Sequence, residues 1–311
     1  MRVIGLVTCS MGLAQEHSRG FRCPLMHETP AVRSVTRYYD SNTRRFLFVG
    51  GGGSIHGIHR QLWAPGVHTT SEATDYINRL VAAHLQEVRL EDDATILDMG
   101  CGVGGTLFRL AEFYPNAKLH GITISPKQSD IAKRLTIRKG LGQQCQIHLG
   151  DFESARLGVT ANAIVTIEAY THAAAPHTFF ASAAEHLEPN SHLLLVDDFI
   201  EPQELDARQC SIVTDLQVGW HLTALSSVES CVRTAEEAGL VLTSNTDLTP
   251  LIQLGRPRDR AIGLLGPVFR TLGLAHVPFF ANMIGGRALQ IGLREKFLAY
   301  RFLAFQKSAL A

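Results

Sequence analysis

Two short stretches of the sequence hold residue types that do chemistry. The first is Ile96-Leu97-Asp98-Met99-Gly100-Cys101-Gly102-Val103-Gly104-Gly105. An apolar run over 94–97 ends in an acid and a glycine-rich turn. Leu107, Leu110 and Ala111 follow at helical spacing, so the stretch reads as strand, tight turn, helix. Glycine admits positive φ and lets a ligand approach the backbone closely. The first turn of a helix leaves N–H groups unpaired. A nucleotide-like ligand is therefore expected above this turn, against Asp98, Gly100, Cys101, Gly102 and Gly104. The second stretch is Glu168-Ala169-Tyr170-Thr171-His172. Glu168 ends a predicted strand at the carboxyl edge, where doubly wound sheets bind ligands. A carboxylate beside an apolar pocket there is a candidate base, with a solvated strand-end acid as its plainer role. His172, one turn on, would share that proton or orient a substrate; its plainer role is a structural hydrogen bond.

The glycine pattern fits two ligands. Gly100-x-Gly102-x-x-Gly105 satisfies the dinucleotide fingerprint. The alternative is S-adenosylmethionine (SAM), which has no pyrophosphate and whose cationic amino group Asp98 could hold. A dinucleotide site calls for an acid about 20 residues on. The next strand reads Leu119-His120-Gly121-Ile122-Thr123-Ile124-Ser125-Pro126-Lys127-Gln128 and ends without one. The hydroxyls and amide of Thr123, Ser125 and Gln128 would serve a ribose instead. Gly150-Asp151-Phe152, after a third apolar segment at 145–149, is placed to bracket an adenine. SAM is the favoured reading, and an NAD-dependent oxidoreductase is the rival from another class.

These residues must be positioned by alternating elements. Strands are expected at 94–98, 118–123, 145–149, 162–167 and 193–197, with helices at 105–113, 126–140 and 176–187. An amphipathic helix over 71–88 precedes them, with Tyr76, Ile77, Leu80, Val81 and Leu85 on one face. Such alternation predicts an α/β fold, a Rossmann-like doubly wound parallel sheet covered on both faces. Helices are expected at 204–220 and 227–238, a strand at 240–243 and a closing strand at 300–305. The Gly-, Pro- and apolar-rich stretch at 255–292 suggests a helical lid. The expected organisation is an N-terminal extension (1–30), a helical cap (31–75), a SAM-binding Rossmann-like core (76–250), a lid insertion (251–295) and a closing segment (296–311). The cap would hold a helix at 32–49, a mobile Gly50–Gly53 loop, and 54–63 over a pocket.

Composition narrows the partners. Of the 311 residues, 29 are Lys or Arg and 29 are Asp or Glu, so no basic stripe argues for nucleic acid. No apolar run approaches the roughly 18 residues of a membrane span. The 6 cysteines are scattered with no C-x-x-C pair, which suits free thiols in a reducing cytoplasm. A homo-oligomer formed through the N-terminal arm is expected, because residues 1–49 have little sheet to pack on.

Taken together, Tyr38-Tyr39-Asp40, the Leu97–Gly104 turn, Gly121-Ile122-Thr123-Ile124-Ser125-Pro126-Lys127-Gln128, Gly150-Asp151-Phe152 and Glu168-Ala169-x-x-His172-Ala173 resemble the class I SAM-dependent methyltransferases. Within them the chain is similar to the sterol methyltransferase and cyclopropane synthase group, and more so to small bacterial terpenoid and prenyl C-methyltransferases. The resemblance covers roughly residues 31–200. It implies that Gly100, Gly102 and Gly104 back the methionine part of SAM. It also implies that Thr123, Ser125 and Gln128 line the ribose, that Asp151 meets the adenine amino group, and that Phe152 lies beside the ring. Tyr39 would touch the methionine end and help close the site. The four glycines at 50–53 depart from the sterol enzymes, so the resemblance does not fix the substrate entrance or the substrate size.

Methylating an alkene leaves a carbocation, so the site needs an apolar pocket, aromatic faces and a base. Aromatic faces attract cations by about 0.5–2 kcal/mol each. From Trp63, Tyr170, Phe179, Trp220, Phe279 and Phe280, the expected substrate-facing rings are Trp63, Tyr170 and Trp220, with Tyr39 as a further contact. Core packing is the plainer role of each. The expected catalytic residues are Glu168, His172 and Tyr39. The expected acceptor is a prenyl or terpenoid small molecule, either a diphosphate or a prenylated body such as an indole. No metal site is expected in the protein itself; Mg2+ would accompany only a diphosphate. Arg44, Arg45, Arg60, His56 and His59 are the candidates for an anion site under the lid. The nearest rival is O- or N-methylation of a phenolic or polyketide scaffold.

Overall fold

A computed structural model describes residues 57, 59–201, 204–256 and 278–309. The expected N-terminal extension, the 32–49 helix, the tetraglycine loop, Tyr39, Arg44, Arg45 and His56 lie outside the described residues. So do residues 257–277 of the expected lid.

In chain order the elements are α1 (Thr70–Glu87), β1 (Thr95–Met99), α2 (Gly105–Phe113), β2 (Lys118–Thr123), α3 (Pro126–Arg138), β3 (Cys145–Leu149) and β4 (Ala161–Ile167). They continue with α4 (Pro176–His186), β5 (Leu187–Ile200), α5 (Ala207–Trp220), α6 (Val228–Glu237), β6 (Leu240–Asp247), α7 (Pro278–Arg294) and β7 (Leu298–Lys307). The strands form a sheet ordered β3-β2-β1-β4-β5-β7-β6. Neighbours from β3 through β5 are parallel, and β7 is antiparallel to both β5 and β6.

Local sequence explains most element starts. Thr69 caps α1, accepting the Glu72 N–H while the Glu72 carboxylate takes the Thr69 N–H. Ser125 caps α3, with Pro126 in the first helical position. Alternation along the strands sends Ile96, Val165 and Val196 to one face, packed with Ile77, Val81, Leu107 and Leu110 of α1 and α2. Leu97, Ile164 and Leu195 go to the other face, packed with Phe179 and Phe180 of α4 and Cys231 and Ala235 of α6. Both faces are thus covered, as the alternating pattern predicts.

Three observations refine the expected layout. The sheet is mixed rather than all-parallel. β6 points the same way as β5, and β7 runs antiparallel to both between them, entering from the edge where α7 ends. Second, β5 starts at Leu187 rather than 193, with a register irregularity opposite Ala161 and Ala163. Third, α5 packs against α7 around Ile212, Val213, Leu216, Ala288, Leu289 and Leu293, an apolar cluster of its own. That pair stands at the carboxyl edge of the sheet, next to the site.

Candidate functional site

Two groups of residues meet along the carboxyl ends of β1, β2, β4 and β5. At the β1 end Asp98 is buried, and burial pushes its carboxyl up to about 7, with no cation among the described residues to offset it. The turn that follows is built on positive φ. Gly100 has φ +97°, and a Cβ there would lie 2.3 Å from the Ala169 Cβ. Gly102 has φ +56° and faces open space. Gly100 is thus required by its close packing on Ala169, while Gly102 leaves backbone facing open space in the turn that follows a buried acid. That arrangement fits the cationic amino acid end of SAM and offers nothing specific to a pyrophosphate beyond the α2 N-terminus. Cys101 is buried beside Asp98, and its thiol pKa is driven well up by burial and by that acid.

At the β2 end, Thr123, Ser125 and Gln128 are buried together. The Thr123 hydroxyl donates to Gln128 Oε1 at 2.8 Å, and the Ser125 hydroxyl accepts the Gln128 N–H at 3.1 Å. These three expected ribose residues thus also build their own turn. Asp151 is half-buried, its carboxylate accepting the Glu153 N–H at 3.0 Å. Phe152 meets Phe179 edge-on, ring centroids 5.4 Å apart. Sequence reading passed over Glu153. Its carboxylate accepts the N–H groups of Ala174 and Ala175 at 2.6 and 2.9 Å, tying the loop after β3 to the loop after β4.

The second group surrounds Glu168, which sits just beyond β4 with φ +52°. A non-glycine residue there is uncommon and strained. Glu168 Oε1 accepts the Arg60 N–H at 2.9 Å and the Tyr300 hydroxyl at 2.8 Å. The Arg60 guanidinium forms a two-pronged ion pair with Asp198, the side chains 13% and 2% exposed. Its carbon lies 4.6 Å from the Tyr300 ring centroid and 5.6 Å from that of Trp220. Burial opposes the Arg60 charge, but Asp198 and Glu168 outweigh it and raise the pKa. Burial also raises Asp198, which Arg60 counters. Asp197, beside it, is pushed up to about 7 by burial and by the Asp198 charge, while accepting from Thr171 N and Oγ1.

His172 stands near this cluster, its Nδ1 3.2 Å from the His221 carbonyl. Burial pulls its pKa down to about 4, so the ring is neutral at pH 7 and donates from Nδ1. Trp220 ends α5 and donates Nε1–H to the Asn282 carbonyl at 3.2 Å. Trp63 lies under Arg256, 5.4 Å from ring centroid to guanidinium. Tyr170 is 1% exposed, packed among Phe179, Phe180 and Phe199, so its ring belongs to the core. The side chain of Phe279 lies outside the described residues.

The expected anion cluster dissolves where it can be seen. The Arg60 fork is taken by Asp198, and His59 Nε2 is 2.9 Å from the Thr106 hydroxyl. Residues 59–63 instead make a strap across the strand ends, reinforced by the Trp63 N–H to Leu251 carbonyl bond at 2.7 Å. Among the described residues there is no group of three His, Cys, Asp or Glu side chains able to hold a metal. No helix among them is long and apolar enough to cross a membrane. Sequence reading missed the Tyr300 role, because a tyrosine in an apolar strand carries no signal. The Arg60–Asp198 pair likewise needs the sheet to bring it together.

Comparison with known proteins shows the family and the fold that the chain shares. The family described as mycolic acid cyclopropane synthetase matches residues 69–250. Cycloartenol-C-24-methyltransferase 1 of Oryza sativa is 26% identical over 219 residues, 69% of this chain and 60% of the rice protein. The O-methyltransferase cnsE of Penicillium expansum is 30% identical over 190 residues, 60% of this chain and 65% of that protein. The matched regions thus span about 60–65% of these relatives' lengths. Among solved structures, the cyclopropane synthase MmaA2 of Mycobacterium tuberculosis superposes with TM-score 0.70 at 18% identity, covering 90% of this chain and 100% of the other. A Streptomyces coelicolor geranyl diphosphate C-methyltransferase, complexed with Mg2+, geranyl diphosphate and S-adenosyl-L-homocysteine, gives 0.65 at 15% identity, covering 91% and 100%. These structural likenesses establish a shared fold.

Proposed function

The chain belongs to the mycolic acid cyclopropane synthetase family, and from that membership and the geometry around Glu168 we propose that it transfers a methyl group from SAM to an alkene carbon of a prenyl or terpenoid acceptor. SAM supplies an electrophilic methyl on a sulfonium. On this reading Asp98 holds the donor's amino group, the Gly100–Gly104 backbone lies against its methionine part, and Tyr39 closes that end. Thr123, Ser125 and Gln128 serve the ribose, with Asp151 and Phe152 at the adenine. Residues 76–250 and 296–311 carry the donor side; 31–75 and 251–295 cover the acceptor side.

The acceptor's π pair forms the new C–C bond and leaves a cation on the neighbouring carbon. Glu168 takes a proton from the carbon beside that cation, and the released C–H pair closes a new double bond, directly or after cyclisation. His172, neutral at pH 7, orients the acceptor or relays the proton. Trp220 and Trp63 border the chamber. Mg2+ enters only if the acceptor is a diphosphate, as in the Streptomyces complex.

The observation that carries this reading is Glu168 itself. It is held in a strained backbone at the strand edge, its neighbour Arg60 already neutralised by Asp198. A paired guanidinium opposes a developing cation far less than a bare one. The similarity to a fungal O-methyltransferase favours a second reading, methylation of a heteroatom with the same base. Incubation with methyl-labelled SAM and a panel of prenyl diphosphates, prenylated indoles and phenols, followed by mass and carbon NMR analysis, separates the two. We expect label on carbon, and turnover lowered about 10²- to 10⁴-fold by Glu168→Gln with donor binding intact. Label on oxygen or nitrogen, or full turnover by the variant, would refute the proposal.

A further inference from the structure

Glu168 has two carboxylate oxygens in unequal surroundings. Oε1 accepts both the Arg60 N–H, at 2.9 Å, and the Tyr300 hydroxyl, at 2.8 Å. Oε2 has no hydrogen-bond partner among the described residues. Tyr300 is fully buried and fixed by its surroundings. Its N–H donates to the Thr249 hydroxyl at 2.9 Å, its carbonyl accepts the Leu248 N–H at 2.8 Å, and its ring lies under the Arg60 guanidinium.

We infer that Tyr300 is a positioning residue for the proposed base: with the strap N–H of Arg60 it locks Glu168 Oε1, so that Oε2 alone faces the acceptor and takes the proton. The inference rests on the proposed role of Glu168 and goes beyond it by naming the oxygen and the groups that select it. The phenol suits this task. Burial raises its pKa well above the ordinary value, and the neighbouring Glu168 charge adds to that, so it stays a donor at any working pH. Both donors come from outside the Rossmann motifs, one from the strap and one from β7. The base is therefore held jointly by the strap and by β7. A carboxylate free to turn about its last torsion would offer either oxygen along several directions. One pinned on Oε1 offers a single direction, which selects among the protons beside a cation.

The test is a double-mutant cycle with Tyr300→Phe, Glu168→Gln and the double variant, reading kcat, acceptor KM, and the ratio of double-bond isomers in the product. We expect Tyr300→Phe to lower kcat by about 10- to 100-fold, to leave acceptor KM within about twofold, and to broaden the isomer ratio. The double variant should be no slower than Glu168→Gln alone, because Tyr300 acts only through Glu168. A Tyr300→Phe enzyme with wild-type kcat and isomer ratio, beside a crippled Glu168→Gln enzyme, would overturn the inference and leave the function reading standing. Additive losses would overturn it as well. Full turnover by Glu168→Gln would end both. A second measurement does not depend on that variant folding. In protein labelled at tyrosine Cζ, the resonance assigned to Tyr300 should move on Glu168→Gln, and an unmoved resonance counts against the contact.

Discussion

Asp98 is the clearest case of a single residue whose chemistry is set by its surroundings. A buried acid held up near 7 is mostly protonated at pH 6. Its burial stabilises the protonated form, so its contribution to folding is complete below the unfolded pKa and is lost as pH rises through about 7. An ammonium group placed beside it would favour the ionised form and expel the proton. We therefore expect SAM binding at pH 6 to release close to one proton per site, and at pH 8.5 almost none. Calorimetry in two buffers of different ionisation enthalpy measures this directly. Asp98→Asn should abolish that release and weaken binding. A buffer-independent heat at pH 6 would mean that Asp98 does not meet the amino group. The acid and the glycines around it were legible in the sequence, because a strand that ends in Asp-x-Gly-x-Gly is a local pattern. The height of its pKa was not, because it depends on everything packed around it.

Between elements, the contact that shapes the roof of the site is α5 on α7. The helices approach through Gly219 and Gly285, where added side chains have no room. A Cβ on Gly285 would lie 2.6 Å from Cδ1 of Trp220 and 3.3 Å from the Gly219 carbonyl carbon. Gly285→Val should force the indole off the Asn282 carbonyl and away from Arg60. We expect a loss of about 1–3 kcal/mol in urea unfolding. In a Trp63→Phe background, where Trp220 is the single tryptophan, its emission should shift to the red. Unchanged stability and emission would show that the helix pair does not pack this way. The strap at 59–63 is the other element of consequence. The sequence suggested a cover over a pocket here. What the strap holds, through Arg60 to Asp198 and Glu168, was not readable from it.

For the whole molecule, the sheet carries the stability and the donor site reports on it. A ligand that binds only the folded chain stabilises it by RT ln(1 + [L]/Kd), about 2.7 kcal/mol at a hundredfold excess over Kd. SAM and S-adenosylhomocysteine should each raise the melting temperature in proportion to the logarithm of their concentration. NAD should not, since no acid follows β2 to hold its ribose. A thermal shift scan with the three ligands decides it, and stabilisation by NAD alone would return the glycine turn to the dinucleotide class. Hydrogen exchange should find β4, β5 and β7 the most protected, with α5 and α7 opening first, because their apolar cluster is separate from those on the sheet faces.

What the chain determined by itself is whatever repeats over a few residues. That covers the alternation of strand and helix, the caps at Thr69 and Ser125, the glycine turn, and an acid at the end of β4. These follow from backbone geometry and side-chain periodicity, which act locally. What only the tertiary structure decided are meetings across long stretches of chain. Tyr300 reaches Glu168 over 132 residues, and Arg60 reaches Asp198 over 138. The reversed direction of β7 is of the same kind, since it depends on where the preceding segment leaves the chain. Burial then acts on those meetings: away from water an ion must find its partner and a polar group its bond, wherever in the sequence that partner lies.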